Sequence, residues 1–247
     1  MPFLLALQFL TTIPVRVSGE VTPRMMGRAM AWFPVVGLML GAILALADLA
    51  LQAIFPPTVG AALLLAVWVA LTGALHLDGF LDCCDGLLAA KSPEKRLEIL
   101  HDTRVGAFAV VGAVCLLLLK FTALLELPGG HRSAALLVIP ALTRAVMVYA
   151  ARAYPYARPG PGLGQLFRDG LTWREVVAAA VVAVAAAWLA LGLTGLALAL
   201  CVWLLTVGIA WLVQRRIPGL TGDAYGAINE LTEVGALLFL LIVERLR

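Results

Sequence analysis

Three aspartates in a short apolar stretch are the residues of this chain with the clearest capacity for chemistry. Asp78, Asp82 and Asp85 are spaced i, i+4 and i+7, so a helix of about 3.6 residues per turn would place all three carboxylates on one face. Like charges in such a row repel one another, and a purely structural helix gains nothing from them. A divalent cation held between them would turn that repulsion into ligation. The spacing therefore predicts a cation-binding helix face.

Membrane helices are the elements that must position these carboxylates. Of the 247 residues 62% are hydrophobic and only 13% are charged, whereas a soluble domain carries roughly 25% charged residues. Several apolar runs reach the ~20 residues that a membrane span needs. No polar segment is long enough to fold alone, so we expect an all-α polytopic membrane helical bundle that forms one domain over residues 1–247. The four cysteines match neither a zinc site nor a disulfide framework.

Hydropathy predicts about seven transmembrane helices, preceded by a short N-terminal helix that is interfacial or re-entrant. The spans are expected at about residues 32–55, 59–77, 105–125, 133–151, 175–191, 195–213 and 224–243. The second span runs into the aspartate stretch without a turn signal, so the last turns of that helix or its direct continuation would carry the carboxylates, at the membrane edge. Ser92 and Pro93 predict the start of a cytoplasmic surface helix that continues to about Thr103. Segment 152–174 is predicted to be a loop because it is rich in Pro and Gly.

The distribution of basic residues predicts the orientation of the bundle. Thirteen of the eighteen Lys and Arg residues precede span one or lie between spans two and three, four and five, or six and seven. The segments on the opposite side carry only Arg132, Arg245 and Arg247. The positive-inside rule then places the N-terminus in the cytoplasm and the C-terminus outside. Every polar motif falls on the cytoplasmic face in this layout.

A second acidic motif lies at the start of the last predicted span. Asp223 and Glu230 are spaced i, i+7, and a charge in an apolar helix costs at least ~2.5 kcal/mol at mid-membrane unless it is paired or solvated. A solvated helix start would explain these acids without any function. The topology, however, puts them on the same side as the first motif. We therefore predict that the two motifs are spatial neighbours and that Asp78, Asp82, Asp85, Asp223 and Glu230 hold a metal ion.

A metal held by carboxylates with open positions is typical of sites that handle phosphates. Hard oxygen ligands with one nearby histidine favour Mg²⁺, with Mn²⁺ as an alternative, over zinc. The candidate catalytic residues are Asp82, Asp85 and Asp102, one of which would act as general base toward an attacking hydroxyl. The cations expected to bind the phosphate groups are Arg16, Lys91, Arg104, Arg152 and Arg158.

Two further polar residues have a functional and a structural explanation. His76 could bind substrate or carry a proton, although a histidine that caps a buried helix would explain it equally well. Asp48 lies within the first predicted span. We expect it to form a structural ion pair with Arg144 or Lys120, which also lie within spans.

The stretch from His76 to Ala109, HLDGFLDCCDGLLAAKSPEKRLEILHDTRVGAFA, resembles the signature of the cobalamin synthase family. The segments QFLTTIPV, FPVVGLMLGA and LTGDAYGAINELTE resemble the same family, in order and over nearly the full chain. The resemblance implies a Mg²⁺-dependent integral membrane enzyme that joins adenosylcobinamide-GDP to α-ribazole or its 5′-phosphate and releases GMP. It also implies the cytoplasmic (inner) membrane of a prokaryote, contact with membrane lipid and with other late cobalamin-pathway enzymes, and no nucleic acid.

Two other protein classes share part of this pattern. The CDP-alcohol phosphotransferases have the motif D-G-x2-A-R followed by a glycine and paired aspartates. Here Asp85-Gly86 begins such a motif, but Ala90 replaces the arginine and the later residues are missing at the required spacing. An ion-coupled transporter would show inverted repeats and midplane carboxylates. No repeat is visible, and the acids gather at one predicted membrane edge.

Overall fold

The computed structural model describes residues 1–89, 91–157 and 163–246. These residues form α-helices and no β-strand, apart from one isolated bridge between Tyr156 and Leu220. The predicted all-α fold is thus confirmed. The helices are α1 (Pro2–Leu10), α2 (Pro23–Met30), α3 (Phe33–Ile54), α4 (Pro57–Thr72), α5 (Leu75–Leu88), α6 (Pro93–Ile99), α7 (Ala107–Glu126), α8 (Gly129–Ala153), α9 (Leu163–Asp169), α10 (Trp173–Leu191), α11 (Leu193–Gln214) and α12 (Gly222–Arg245).

Six of these helices are long and apolar enough to cross a membrane: α3, α7, α8, α10, α11 and α12. They lie close to six of the predicted spans, so a multi-pass membrane protein is confirmed. Helix α8 is the centre of the bundle because α3, α10, α11 and α12 all pack against it, and most of its residues are buried. The core is therefore built around α8.

The remaining span, predicted as one straight helix at about residues 59–77 that continues into the aspartate stretch, is wrong because the helix is bent. Helices α4 and α5 meet at a bend of 91° and amount to a seventh crossing only if the pair is counted as one. Gly73 and Ala74 form the break, with φ angles of 59° and 57° in the left-handed region. Glycine is the usual residue at such a helix end, whereas alanine is uncommon there. The amide of Thr12 donates to the carbonyl oxygen of Leu71 at 2.9 Å, which gives a partner to one of the free carbonyls at the end of α4.

The surface helix begins where the sequence predicts and ends earlier. The hydroxyl of Ser92 accepts a hydrogen bond from the Lys95 amide at 3.4 Å, and a proline occupies the first turn. Helix α6 then ends at Ile99 instead of near Thr103. Arg96 is buried and donates to the carbonyl oxygen of Leu87, which ties α6 to the C-terminal end of α5.

The segment predicted as a loop between α8 and α10 contains helix α9, so that prediction is wrong in part. This short helix packs against α2. On the other side of the segment, the amide of Ala157 donates to the carbonyl oxygen of Leu220 at 2.8 Å, and the amide of Leu220 donates to the carbonyl oxygen of Pro155 at 2.8 Å. The segment is therefore fixed against the start of α12, where the second acidic motif lies.

The N-terminal helix α1 has nine residues and lies outside the group of candidate spans. At about 1.5 Å per residue it is too short to cross a bilayer. Its side chains Leu5, Ala6, Leu7 and Leu10 are buried, and the helix packs against α2 and α3. Its interfacial or re-entrant position remains a prediction.

Candidate active site

Helices α5 and α12 are in close contact where each of them begins. A Cβ atom on Gly79 would lie 2.9 Å from the Cα atom of Asp223, and one on Gly226 would lie 2.8 Å from the carbonyl oxygen of His76. Any larger residue would push the helices apart, because small residues are what allow backbones to approach in membrane proteins. The two acidic motifs are thus spatial neighbours, as predicted.

A cavity of about 200 Å³ lies at this contact. Asp78 and His76 line it from the first turn of α5, and Asp223 lines it from the first turn of α12. The carboxylate of Asp223 accepts a hydrogen bond from the hydroxyl of Thr221, the N-cap of α12, at 3.3 Å. Two helix N-termini open on the cavity, and the partial positive charge at each of them favours bound anions.

Glu230 lies deeper in the bundle and does not line the cavity. The Nζ atom of Lys120 donates to Glu230 at 2.6 Å and to Glu233 at 2.5 Å, and Nη1 of Arg144 donates to Glu233 at 2.6 Å. All four side chains are buried. Two acids and two bases make a neutral group, which we call the buried charge cluster, and such pairing is how charges persist inside membrane proteins. The structure therefore gives Glu230 a different partner from the predicted metal ion.

Asp48 forms the expected structural ion pair, but with a different residue. Nε of Arg132 donates to one carboxylate oxygen at 2.7 Å and Nη2 donates to the other at 2.8 Å. This bidentate pairing is the strong form of an arginine–carboxylate contact. The predicted partners, Arg144 and Lys120, are wrong because both bind the glutamates of α12.

Asp85 holds the beginning of α7. Its two carboxylate oxygens accept hydrogen bonds from the amides of Gly106 at 2.6 Å and Ala109 at 3.0 Å. These amides have no partner within their own helix, so the carboxylate acts as a cap for α7. Asp82 lies one turn after Asp78, is half-buried and does not line the cavity. The three aspartates of the first motif therefore have three different surroundings.

Asp102 and Arg104 form an exposed ion pair in the loop before α7. Nη2 of Arg104 donates to Asp102 at 2.6 Å and its Nε donates at 3.0 Å. The hydrogen bonds from the Arg104 side chain, followed by the one from its backbone amide, lower the pKa of Asp102 to about 2. The Arg104 side chain thus contacts both carboxylate oxygens of Asp102, and the catalytic role of Asp102 stays a prediction.

None of the predicted phosphate-binding cations that the structure describes lines the cavity. Arg16 and Lys91 are exposed. Arg152 is half-buried, with its guanidinium group 5.2 Å from the ring centre of Trp173. Arg158 lies outside the described residues. The binding roles of these four cations remain predictions.

The predicted five-residue metal site is not assembled. Within the ranges that the structure covers, no three His, Cys, Asp or Glu side chains are grouped to hold an ion. Mg²⁺, however, keeps several waters and binds through one or two carboxylates together with phosphate oxygens of the substrate. Asp78 and Asp223, which line one cavity with hard oxygen donors, fit such an ion. Magnesium binding stays a prediction, and Asp78 and Asp223 are the predicted ligands that line one cavity.

The apolar wall of the cavity was missed by reasoning from the sequence. Phe9, Phe33 and Phe167 come from α1, α3 and α9, and their ring centres are 4.7 Å apart for Phe9 and Phe167 and 5.8 Å apart for Phe33 and Phe167. Tyr225 also lines the cavity. No spacing connects phenylalanines from three distant segments. The only signal for Tyr225 is its place inside the motif LTGDAYGAINELTE.

Comparisons with known proteins agree over nearly the whole chain. The family model CobS, cobalamin-5-phosphate synthase, matches residues 2–241. A protein of Stutzerimonas stutzeri named adenosylcobinamide-GDP ribazoletransferase is 45% identical over 249 aligned positions, which cover 98% of each chain. Proteins of the same name from Pseudomonas aeruginosa (strain PAO1) and Geotalea daltonii are 44% and 40% identical, over at least 97% of each chain. No solved structure matches. This chain belongs to the cobalamin-5-phosphate synthase family.

Proposed function

We propose that this protein is an adenosylcobinamide-GDP ribazoletransferase, an enzyme of the late part of cobalamin biosynthesis. It joins adenosylcobinamide-GDP to α-ribazole or α-ribazole 5′-phosphate and releases GMP, giving adenosylcobalamin or its 5′-phosphate. The observation that carries this proposal is the 40–45% identity, over nearly the full length, to proteins of that name. These small molecules are its proposed partners.

The reaction is the attack of a ribazole hydroxyl on the phosphate that is attached to cobinamide. A new P–O bond forms to the ribose oxygen, the P–O bond within the pyrophosphate breaks, and GMP leaves with the electron pair of that bond. The hydroxyl proton passes to a base. Negative charge develops on the leaving phosphate, so positive groups near it accelerate the step.

The lining of the cavity between α5 and α12 supports this reaction. The N-termini of both helices favour the pyrophosphate at its mouth. Asp78 and Asp223 are the proposed holders of Mg²⁺, which when bound neutralises charge on the phosphate oxygens. Asp82, one turn after Asp78 on α5, is the proposed acceptor of the proton of the attacking hydroxyl.

The proposed location is the cytoplasmic (inner) membrane of a prokaryote, with the active site facing the cytoplasm. The excess of Lys and Arg on one side of the predicted layout supports a cytoplasmic N-terminus and an external C-terminus. This orientation requires that α4 and α5 together count as one crossing. A reporter fused after the last residue tests it, because a cytoplasmic reporter would contradict the orientation.

The function is tested by GMP release from adenosylcobinamide-GDP. Purified protein in liposomes is assayed with and without α-ribazole, and with Mg²⁺ or a chelator. We expect release that needs both α-ribazole and the metal ion. Release without α-ribazole, or none in its presence, would contradict the proposed function.

Substitution of the cavity carboxylates tests the site itself. We expect Asp78→Asn and Asp223→Asn each to lower kcat/KM by about 100-fold or more, the size of effect seen when a group that stabilises transition-state charge is lost. Thermal unfolding should not change. Glu98→Gln is the matched control, since Glu98 is an exposed carboxylate that pairs with Lys95 on α6. Wild-type turnover in both cavity variants would remove this cavity from the mechanism.

The two other protein classes receive less support. Asp85, which begins the partial CDP-alcohol motif, caps α7. Glu230 and Glu233, which an ion-coupled transporter would need for its cargo ion, are bound to Lys120 and Arg144. Ribazole-dependent GMP release would separate the proposed function from both classes.

A further inference from the structure

The cavity beside Asp78 and Asp223 has an aromatic and thioether wall. Phe33 and Phe167 are buried, Phe9 contacts both of them, and the ring centres of Phe9 and Phe33 are 6.0 Å apart in a stacked arrangement. The sulfur-containing side chains of Met30 and Met147 also line it. Flat aromatic rings bind well against such walls, through stacking and sulfur–aromatic contacts.

Two buried polar groups in the same lining lack partners. Among the residues that the structure describes, neither ring nitrogen of His76 makes a hydrogen bond, and neither does the hydroxyl of Tyr225. The residues are only 2% and 9% exposed. Buried polar atoms are almost always hydrogen-bonded in folded proteins, so two orphaned groups lining one cavity indicate a bound partner. A neutral imidazole and a phenol each offer one donor.

The size and polarity of the cavity decide which part of the substrates it holds. Its volume of about 200 Å³ is below the roughly 300–1,000 Å³ of pockets that enclose a drug-sized ligand. It thus has room for one small ring system and none for a corrin macrocycle. Guanine carries several edge donors and acceptors that would all need buried partners. The benzimidazole of a ribazole is apolar, with one ring nitrogen free to accept a hydrogen bond.

We propose that this aromatic cavity binds the benzimidazole base of the ribazole substrate, a site that rests on the proposed function. The base lies against Phe9, Phe33 and Phe167, and its free ring nitrogen accepts a hydrogen bond from the hydroxyl of Tyr225. The attached ribose then lies beside Asp78 and Asp223, where its hydroxyl meets the phosphate. The cavity is therefore the specificity pocket for the lower base.

Direct binding tests this assignment. The affinity of the purified protein for α-ribazole is measured calorimetrically in detergent, with free 5,6-dimethylbenzimidazole and guanosine as competitors. We expect the benzimidazole to compete and guanosine not to compete. Phe167→Leu and Tyr225→Phe should each weaken α-ribazole binding by about tenfold, which corresponds to the loss of one aromatic contact or one hydrogen bond. The KM for adenosylcobinamide-GDP should stay within about twofold of wild type, because substitutions have little effect on a site that they do not contact.

Matched controls come from outside the cavity. Phe108→Leu changes an exposed phenylalanine of α7, and Tyr154→Phe removes a hydroxyl beyond the end of α8. Both should bind α-ribazole like the wild type. Wild-type affinity in Phe167→Leu and Tyr225→Phe, or competition by guanosine instead of benzimidazole, would overturn the assignment while ribazole-dependent GMP release persists. Loss of that release in the wild-type protein would instead overturn the proposed function.

Discussion

The two ends of the polar face of α12 differ in what surrounds their acids. Asp223, in the first turn, is half-buried and lines a cavity together with Asp78 of α5. Glu230 and Glu233, two turns and more along the same helix, are buried against Lys120 and Arg144. In one place the carboxylates lie beside open volume, and in the other every carboxylate contacts a cation of the protein.

This difference indicates that one helix carries both a carboxylate suited to catalysis and carboxylates that stabilise the fold. A charge that the protein itself neutralises joins helices α7, α8 and α12, and it has little capacity left for a ligand. A carboxylate beside a cavity has oxygen lone pairs to offer to a metal ion or a proton. Substitutions in the two regions should therefore fail in different ways, by unfolding in the cluster and by lost turnover in the cavity.

The largest expected effect is on stability, from a substitution in the buried charge cluster. Glu233→Gln leaves Lys120 and Arg144 with one glutamate between them. Because a buried ion pair that loses one partner leaves an uncompensated charge, we expect the free energy of unfolding to fall by about 3–5 kcal/mol. Unfolding in micelles by a denaturing detergent measures it.

The matched control for this prediction lies on the same helix. Glu244 pairs with His131 near the other end of α12 and is partly accessible to solvent. Glu244→Gln should cost less than about 1 kcal/mol. If Glu233→Gln were as stable as Glu244→Gln but inactive, the cluster would belong to the catalytic machinery and the comparison between the two regions would fail.

A smaller effect is expected at Asp85, which the sequence predicts as a metal ligand and the structure shows as a cap. Asp85→Ala removes the acceptor for two amides of α7, so we expect a loss of about 0.5–2 kcal/mol in unfolding free energy. Asp85→Asn keeps one acceptor and places an NH2 group opposite the other backbone amide, so we expect it to lose part of this stability and to keep its turnover. A folded Asp85→Asn protein with turnover reduced as strongly as in Asp223→Asn would return Asp85 to the metal site.

The smallest effect is expected at the exposed pair of Asp102 and Arg104. The pKa of Asp102 lies below its ordinary value of 3.8, at about 2, because Arg104 stabilises its charged form. Because the pKa is depressed in the folded protein, the pair contributes its full stabilisation at any pH above the ordinary pKa of an aspartate. This stabilisation is lost as the pH falls toward 2. Asp102→Asn should therefore leave the pH profile of GMP release unchanged near neutrality. A shift of the acidic or basic limb of this pH profile would show that Asp102 takes part in proton transfer.

Hydropathy predicts the six long helices well, because each is a continuous apolar run in lipid. It cannot show the bend between α4 and α5, since the apolar run continues across Gly73 and Ala74 and alanine carries no signal for a left-handed backbone. Spacing likewise places Asp223 and Glu230 on one face of α12 without showing their depth. The partners of Glu230 come from α7 and α8, which only tertiary packing brings there.

The sequence predicts the acidic residues of the candidate site but not the apolar residues that line it. Asp78 and Asp223 stand out because carboxylates are rare in this chain, and the closeness of their two motifs follows from topology. The aromatic wall combines Phe9, Phe33 and Phe167, which look like ordinary apolar residues within apolar helices. Because the chain bends at Gly73, α5 begins beside this aromatic wall. The sequence does not predict the bend, and for that reason it does not predict the cavity either.

The buried charge cluster has a consequence for how the chain enters its membrane. Lys120 and Arg144 belong to helices that are synthesised well before α12, and Glu230 follows Lys120 by 110 residues. Each isolated charge at the centre of a helix opposes insertion by about 2.5–3.5 kcal/mol. We therefore expect α7 and α8 to be only marginally stable in lipid until α12 is inserted and neutralises their charges. We expect a chain truncated before α12, which keeps two unpaired positive charges, to be less stably inserted than the full chain.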